Sequence, residues 1–283
     1  MQPRTDRGHI FARERRDLIA RMVQEHGRAR VIDLARAMGV SSVTIRKDLE
    51  ALAAEGRLIR AHGGALALRD QVPEGAFELR ERYQREEKER IGAAAAALVV
   101  DGESIALDAS TTALALARNL KRRGGWVHLT VITNGLRIAS ELAGSPGITV
   151  AMPGGFVRWE ALSVVGPLGE GLFAKVNIQK AFMGAAGFAI ASGLSDATQE
   201  EAEIKRLMVA QAREVMAIID HTKWERAAFA TFCPTERITA IISDAAPPRT
   251  VMDDLAQHHV ELLLAPASIP STVQGSGERT ERR

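Results

Sequence analysis

Between Val31 and Ala53 one pattern dictates the local fold: an amphipathic helix, a glycine, and a second amphipathic helix with its own cap. Val31, Leu34, Ala35 and Met38 fall at i, i+3, i+4 and i+7, which is one face of a short helix. Gly39 follows, and glycine accepts the left-handed backbone that ends a helix sharply. Ser41 is then placed to accept a hydrogen bond from the open N–H groups of a third helix, whose buried stripe is Ile45, Leu49, Leu52 and Ala53. A first helix over Phe11 to His26, stopped by Gly27, supplies Leu18, Ile19, Met22 and Val23 to pack on the pair.

At 100° per residue, Val43, Arg46, Lys47 and Glu50 face away from the buried stripe of the third helix. Cations there suit phosphate, Val43 suits a thymine methyl, and Ser41, Ser42 and Thr44 add hydroxyls, so the face has the chemistry of major-groove reading. Beyond Gly56, Arg57 to Arg60 and Ala61 to Leu66 form two extended runs, a hairpin that aims Arg60 and His62 at phosphate or minor groove. The charge distribution agrees. The net charge is only +2, but residues 1–62 hold 13 Lys+Arg against 8 Asp+Glu, and residues 63–283 hold 24 against 27. A basic head on a mildly acidic body is the asymmetry expected when the head alone meets a polyanion. A helix pair at this spacing also occurs in domains that bind only protein.

The run Val31 to Ala65, VIDLARAMGVSSVTIRKDLEALAAEGRLIRAHGGA, closely resembles the N-terminal winged helix of the DeoR family of bacterial transcriptional regulators. Gly39-Val40-Ser41, Thr44 to Leu49 and His62 to Ala65 carry the likeness. The resemblance implies a helix-turn-helix over Ala29 to Asp48, with Ser42 and Val43 helping to choose the operator, a double-stranded DNA site.

Residues 69–84, with Pro73, Gly75 and mixed charge, read as a connection. A helix from Arg85 to about Val99 opens the body. Short, apolar, β-branched runs then read as strands: Ser104–Asp108, Val127–Thr133, Ile148–Met152, Lys180–Gly184, Glu214–Asp220, Ile238–Ser243 and Val260–Leu264. Helical patterns at Thr112–Arg122, Leu136–Ala143, Gln199–Ala212 and Pro248–His258 separate several of them, predicting an α/β body with a largely parallel, covered sheet. Its ligand crevice lies outside the carboxyl ends of the strands. There the sequence places Asp108, Ser110, Thr111 and Thr112, then Thr133 and Asn134, then Gly154 and Gly155. Hydroxyls and backbone amides at helix starts suit an anion, although Ser110 to Thr112 could equally be a simple N-cap.

The body, too, resembles its counterpart in the DeoR family, a Rossmann-like effector domain related to sugar-phosphate isomerases. The matching stretches include Glu87 to Ile91, Asp108 to Thr112, Val131 to Asn134, Gly154-Gly155, Gly166, Phe182 to Gly184, Gly193-Leu194, Lys205 and Asp220 to Lys223. This implies a phosphorylated sugar or polyol effector, with Lys205, Asp220 and Lys223 joining the loop residues around it. From the residues alone, Lys205 fits a surface i, i+4 pair with Glu201 as well, and Asp220 with Lys223 a local salt bridge. The run from Ser243 to Leu262 looks like that of the glycerol-3-phosphate repressor subgroup, whereas Ser110 stands where the family usually has glycine and Asp196 to Glu203 departs from the subgroup.

The division expected is a winged helix over 10–66, a linker over 67–84, a sugar-phosphate-sensing domain over 85–265 and a disordered tail over 266–283. The longest apolar run, Ala93 to Val100, is far short of the roughly 18 residues that span a bilayer, and the N-terminus is charged where a secretory signal is apolar. A cytoplasmic protein without a membrane role is expected. One cysteine, Cys233, and histidines without ligand spacing give no metal site, and no cofactor is expected. Trp126, Trp159 and Trp224 read as packing residues, Trp159 near a pocket mouth. The function expected is a repressor of a carbohydrate or polyol operon, acting as a homodimer or homotetramer on a repeated operator. The alternative is an isomerase-like enzyme with a DNA-binding appendage. That reading lacks an acidic cluster like the isomerases' Asp-Gly-Ala-Asp-Glu loop.

Overall fold

The computed structural model describes residues 12–26, 28–55, 57–61, 63–66 and 77–267. His62, residues 67–76 of the expected linker and residues 268–283 of the expected tail lie outside the described residues.

In the head, helices α1 (Ala12–His26), α2 (Val31–Met38) and α3 (Ser42–Ala54) enclose Ile19, Val23, Val31, Leu34, Ile45, Leu49 and Leu52, all buried. Gly39 takes the left-handed conformation, φ 66°, and its N–H closes α2 on the Ala35 carbonyl. Ser41 caps α3, accepting the Thr44 N–H at 3.1 Å. A strand precedes α2 that the sequence reading lacked: β1 (Arg28–Arg30) joins β2 (Ile59–Ala61) and β3 (Gly64–Leu66) in the antiparallel order β1-β3-β2. Asp48 is buried and ties α3 to α1, accepting from Arg15 Nε at 2.6 Å and Arg16 Nε at 3.3 Å.

The stretch read as a connection ends in a helix, α4 (Phe77–Arg82), and Phe77 is buried with the body's core, so this part is packed rather than bridging. After α5 (Arg85–Ala97) come β4 (Ser104–Leu107), α6 (Thr111–Arg123), β5 (Leu129–Thr133), α7 (Leu136–Leu142), β6 (Ile148–Ala151), the hairpin β7 (Phe156–Arg158) and β8 (Ser163–Val165), and α8 (Glu170–Phe173). Then follow β9 (Ile178–Met183), β10 (Gly187–Ala189), β11 (Gly193–Asp196), α9 (Gln199–Gln211), β12 (Ala212–Ile218), β13 (Ala230–Cys233), β14 (Ala240–Ser243), α10 (Arg249–Gln257) and β15 (Glu261–Leu264).

All seven strands read from the sequence join one parallel sheet in the order β15-β14-β12-β9-β4-β5-β6. Alternate residues of each strand serve opposite faces. Ile105, Leu107, Val131, Phe182 and Ile218 pack under α5, α6 and α7, while Ala106, Ile132, Met183, Ala217 and Ile241 pack under α9 and α10. From β4 the chain builds outward through β5 and β6, then returns to the other side of β4 with β9. The order therefore reverses between β4 and β9, and a crevice opens at such a switch point. A second antiparallel sheet, β10-β11-β13, has no counterpart in the sequence reading.

Candidate functional site

The head presents its third helix as expected. Val43, Arg46, Lys47 and Glu50 are exposed, with Ser42 and Thr44 partly so. The side chains of Arg46 and Lys47 make no ion pair or hydrogen bond among the described residues, in contrast to Arg15, Arg16 and Arg57, which pair with carboxylates. Ser41 spends its oxygen on the cap and lies 2.9 Å from Thr44 Oγ1. Arg60 folds back over the wing turn, its Nη1 donating to the Gly64 carbonyl at 2.8 Å.

The body opens a crevice of about 570 Å³ at the switch between β4 and β9, in the size range of small-ligand sites. The start of α6 forms one wall. Ser110 accepts the Ala113 N–H at 3.1 Å and donates its hydroxyl to Asp108 at 2.6 Å. The N–H groups of Thr111 and Thr112, both on the crevice, have no partner among the described residues. Gly184, after β9, forms the facing wall; a Cβ there would stand 2.4 Å from Ser110 Oγ, so this approach requires glycine. The turn after β12 adds Asp220, Thr222 and Lys223, and α4 and α5 add Arg80 and Lys88.

Lys205 is buried on the floor. Its Nζ lies 2.6 Å from Asp108 Oδ2 and 2.5 Å from Asp196 Oδ2, and donates to the Gly184 carbonyl at 3.0 Å. An ammonium has three donors, and all three are engaged. Burial would lower its pKa, but Asp108 and Asp196 raise it above the ordinary lysine value. Glu201 is not its surface partner: it is buried, pairs with Arg158 at 3.1 Å and accepts the Ser163 hydroxyl. Lys205 therefore fixes the loops after β4 and β9 and lines the crevice from its floor. Asp108 is likewise saturated, taking Ser110 N–H and hydroxyl, Gly184 N–H and Lys205, and is fully enclosed.

Four other expected residues lie off the crevice. Thr133 accepts the Gly135 N–H at 3.0 Å, and Asn134 donates to the Val164 carbonyl at 3.3 Å, so both are turned inward. Gly154 faces Leu168, and Gly155 packs against Val165. These two follow β6, the sheet edge, two strands from the switch, a distance of roughly 10 Å. Trp159 is exposed and lines no part of the crevice, whereas Trp126 and Trp224 are buried.

Around the open amides the crevice is cationic. Burial pulls Lys88 down to about 8 against the attraction of Asp220. Burial opposes ionisation of Asp220 as well, but Lys223, Thr222 and Lys88 outweigh it and hold the carboxyl below its usual range. Sequence reasoning missed Lys88 although Lys88, Ile91, Gly92 and Ala95 share one buried face at i, i+3, i+4 and i+7. Asp196 and Arg80 carried no comparable signal. Among the described residues no group of His, Cys, Asp and Glu could hold a metal, and no helix is long and apolar enough to cross a membrane.

A winged helix with uncommitted cations on its outward helix, in one chain with an α/β body whose crevice suits a small anion, defines the class of effector-responsive, DNA-binding transcriptional regulators. Residues 15–71 match the DeoR-like helix-turn-helix domain and residues 83–245 the DeoR C-terminal sensor domain, and the chain belongs to the DeoR family. The HTH-type transcriptional regulator GolR of Listeria innocua is 38% identical over 83% of this chain and 91% of its own length. The glycerol-3-phosphate regulon repressor of Escherichia coli is 29% identical over 89% of this chain and 98% of its own. Ribose 5-phosphate isomerase A of Methanocaldococcus jannaschii is 16% identical with a TM-score of 0.38, covering 50% of this chain and 55% of its own, and nothing about function follows from that. The chain is thus a transcriptional regulator that binds operator DNA and a small-molecule effector, and the isomerase-like alternative is not favoured.

Proposed function

We propose that the protein is a cytoplasmic repressor of a carbohydrate or polyol operon. A head over 10–66 grips the operator through Ser42, Val43, Arg46 and Lys47, and a body over 85–265 binds a phosphorylated sugar or polyol. The observation that carries this reading is the convergence, at one switch-point crevice, of the unpartnered Thr111 and Thr112 amides with the cations Arg80, Lys88 and Lys223. Thr111 and Thr112 take the phosphoryl group, and Asp220 accepts from a hydroxyl. Control of DNA binding needs the effector to favour one arrangement of the chain by about 1–3 kcal/mol. A homodimer or homotetramer supplies two heads for a repeated operator.

Selection of duplexes from a randomised pool by the full chain tests this directly. Recovered sites carry a repeated element, and their affinity changes about tenfold or more with one phosphorylated sugar or polyol but not with its unphosphorylated parent. Recovery of no common element, or indifference to every phosphorylated compound, contradicts the reading.

A further inference from the structure

Arg80 stands on α4, in the stretch the sequence presents as a mere connection. Two anchors hold that helix to the body: Phe77 is buried in its core, and Glu81 accepts from Arg118 Nη2 at 2.6 Å. The guanidinium stacks 5.8 Å from the centroid of the Phe77 ring and lines the crevice. Its Nε and Nη2 are buried and have no hydrogen-bond partner among the described residues. Buried donors are almost always satisfied, because leaving one unpaired forfeits its hydration without return. Two such donors on one planar fork match two oxygens of one tetrahedral anion.

The surroundings bind α4 to the crevice from other sides. Lys88 on α5 donates to the carbonyls of Arg80, in α4, and of Tyr83, just past its end. Gln84, between α4 and α5, holds the left-handed conformation at φ 51°, and its Nε2 lies 3.3 Å from His221 Nε2 in the turn that supplies Asp220 and Lys223. At its other end α4 is reached from β3 of the head through residues 67–76. The helix that touches the crevice is therefore the body element next to the head in the chain.

We infer that Arg80 is an effector-binding residue, taking two oxygens of the bound phosphoryl group, and that through it occupancy of the crevice fixes α4, the start of the path to the head. This rests on the crevice holding a phosphorylated sugar or polyol, as proposed above.

The test uses the full chain with inorganic phosphate, glycerol 3-phosphate, glucose 6-phosphate, fructose 6-phosphate and ribose 5-phosphate, followed by thermal shift and by amide hydrogen exchange of residues 77–84. For the compound that protects the native protein, Arg80→Gln weakens binding about tenfold or more, and Arg80→Lys, which keeps the charge but loses the fork, falls between. Exchange in 77–84 slows on binding in the native protein and not in Arg80→Gln. Melting of each variant without compound shows that it is folded, and Arg80→Lys serves if Arg80→Gln is not. Native-like affinity and native-like slowing of exchange in folded Arg80 variants overturn this inference while leaving the phosphate reading intact. No protection of the native protein by any of the five overturns both.

Discussion

Lys205 Nζ lies 2.6 Å from Asp108 Oδ2, both enclosed where β4 and β9 part to form the crevice. The pair joins the loop that starts α6 to the loop after β9, because Asp108 also takes the Gly184 N–H at 3.1 Å and Lys205 the Gly184 carbonyl. With Asp196 as a third member, one cation faces two carboxylates, and removing it leaves both buried charges uncompensated. Lys205→Met should therefore cost about 3–5 kcal/mol of stability by denaturant titration, and less when Asp108→Asn is added. A loss below about 1 kcal/mol would show that the crevice does not depend on this cation.

Asp48 plays a comparable part in the head. It belongs to the segment Thr44 to Leu49 through which the sequence resembles its family, yet it is buried against Arg15 and Arg16 rather than offered to DNA. Asp48→Ala should destabilise the head by about 2 kcal/mol or more, with loss of DNA binding following from unfolding. A variant that melts like the native protein and still fails to bind would give Asp48 a direct role instead.

Arg46 and Lys47 make the opposite prediction. Neither holds the fold, so Arg46→Ala with Lys47→Ala should leave the melting temperature in place. The double variant should reduce the slope of log affinity against log salt by about two. An unchanged slope in gel-shift titrations excludes this face from phosphate contact.

Lys88 gives the protein a pH signature. Its folded pKa of about 8 lies below the ordinary lysine value of 10.5, so unfolding takes up a proton between those limits. Its unfavourable contribution is in full force below pH 8 and is relieved as pH rises toward 10.5, a gain of at most about 3 kcal/mol. Stability of the native protein minus that of Lys88→Met should rise across this window, and a flat difference would mean that the ammonium is not buried as described. Over the same window the crevice loses a cation, and affinity for an anion should fall.

Much of this was legible in the chain. The inner strands β4, β5, β9, β12 and β14 show because the sheet buries most of their residues in apolar runs, and the less buried edge strands β6 and β15 show by their apolar composition alone. The head shows because Gly39 and Ser41 fix the turn and the cap. The antiparallel strands β7, β8, β10, β11 and β13 are three or four residues long, too short for a period to show. The crevice was legible as a place and only partly as a set of residues. Thr111, Thr112, Asp220 and Lys223 line it, but Thr133, Asn134, Gly154 and Gly155 do not, because strand order decides which loops meet and no local pattern encodes it. Lys205 sits at i, i+4 from Glu201, the spacing of a surface pair; its true partners are Asp108, in the loop after β4, and Asp196, at the end of β11. Arg80 was hidden by Pro73 and Gly75 just before it, which mark a connection without showing where the next helix begins.

Whether the crevice takes a phosphoryl group is read by calorimetric titration of the full chain with glycerol 3-phosphate, glucose 6-phosphate, fructose 6-phosphate and ribose 5-phosphate, each beside its unphosphorylated parent. Saturable binding of at least one phosphorylated compound, none of its parent, and about a tenfold loss in Lys223→Met and in Thr111→Pro, which removes one open amide at the first position of α6, are expected. Binding that both substitutions leave untouched, or no binding of any phosphorylated compound, would contradict it.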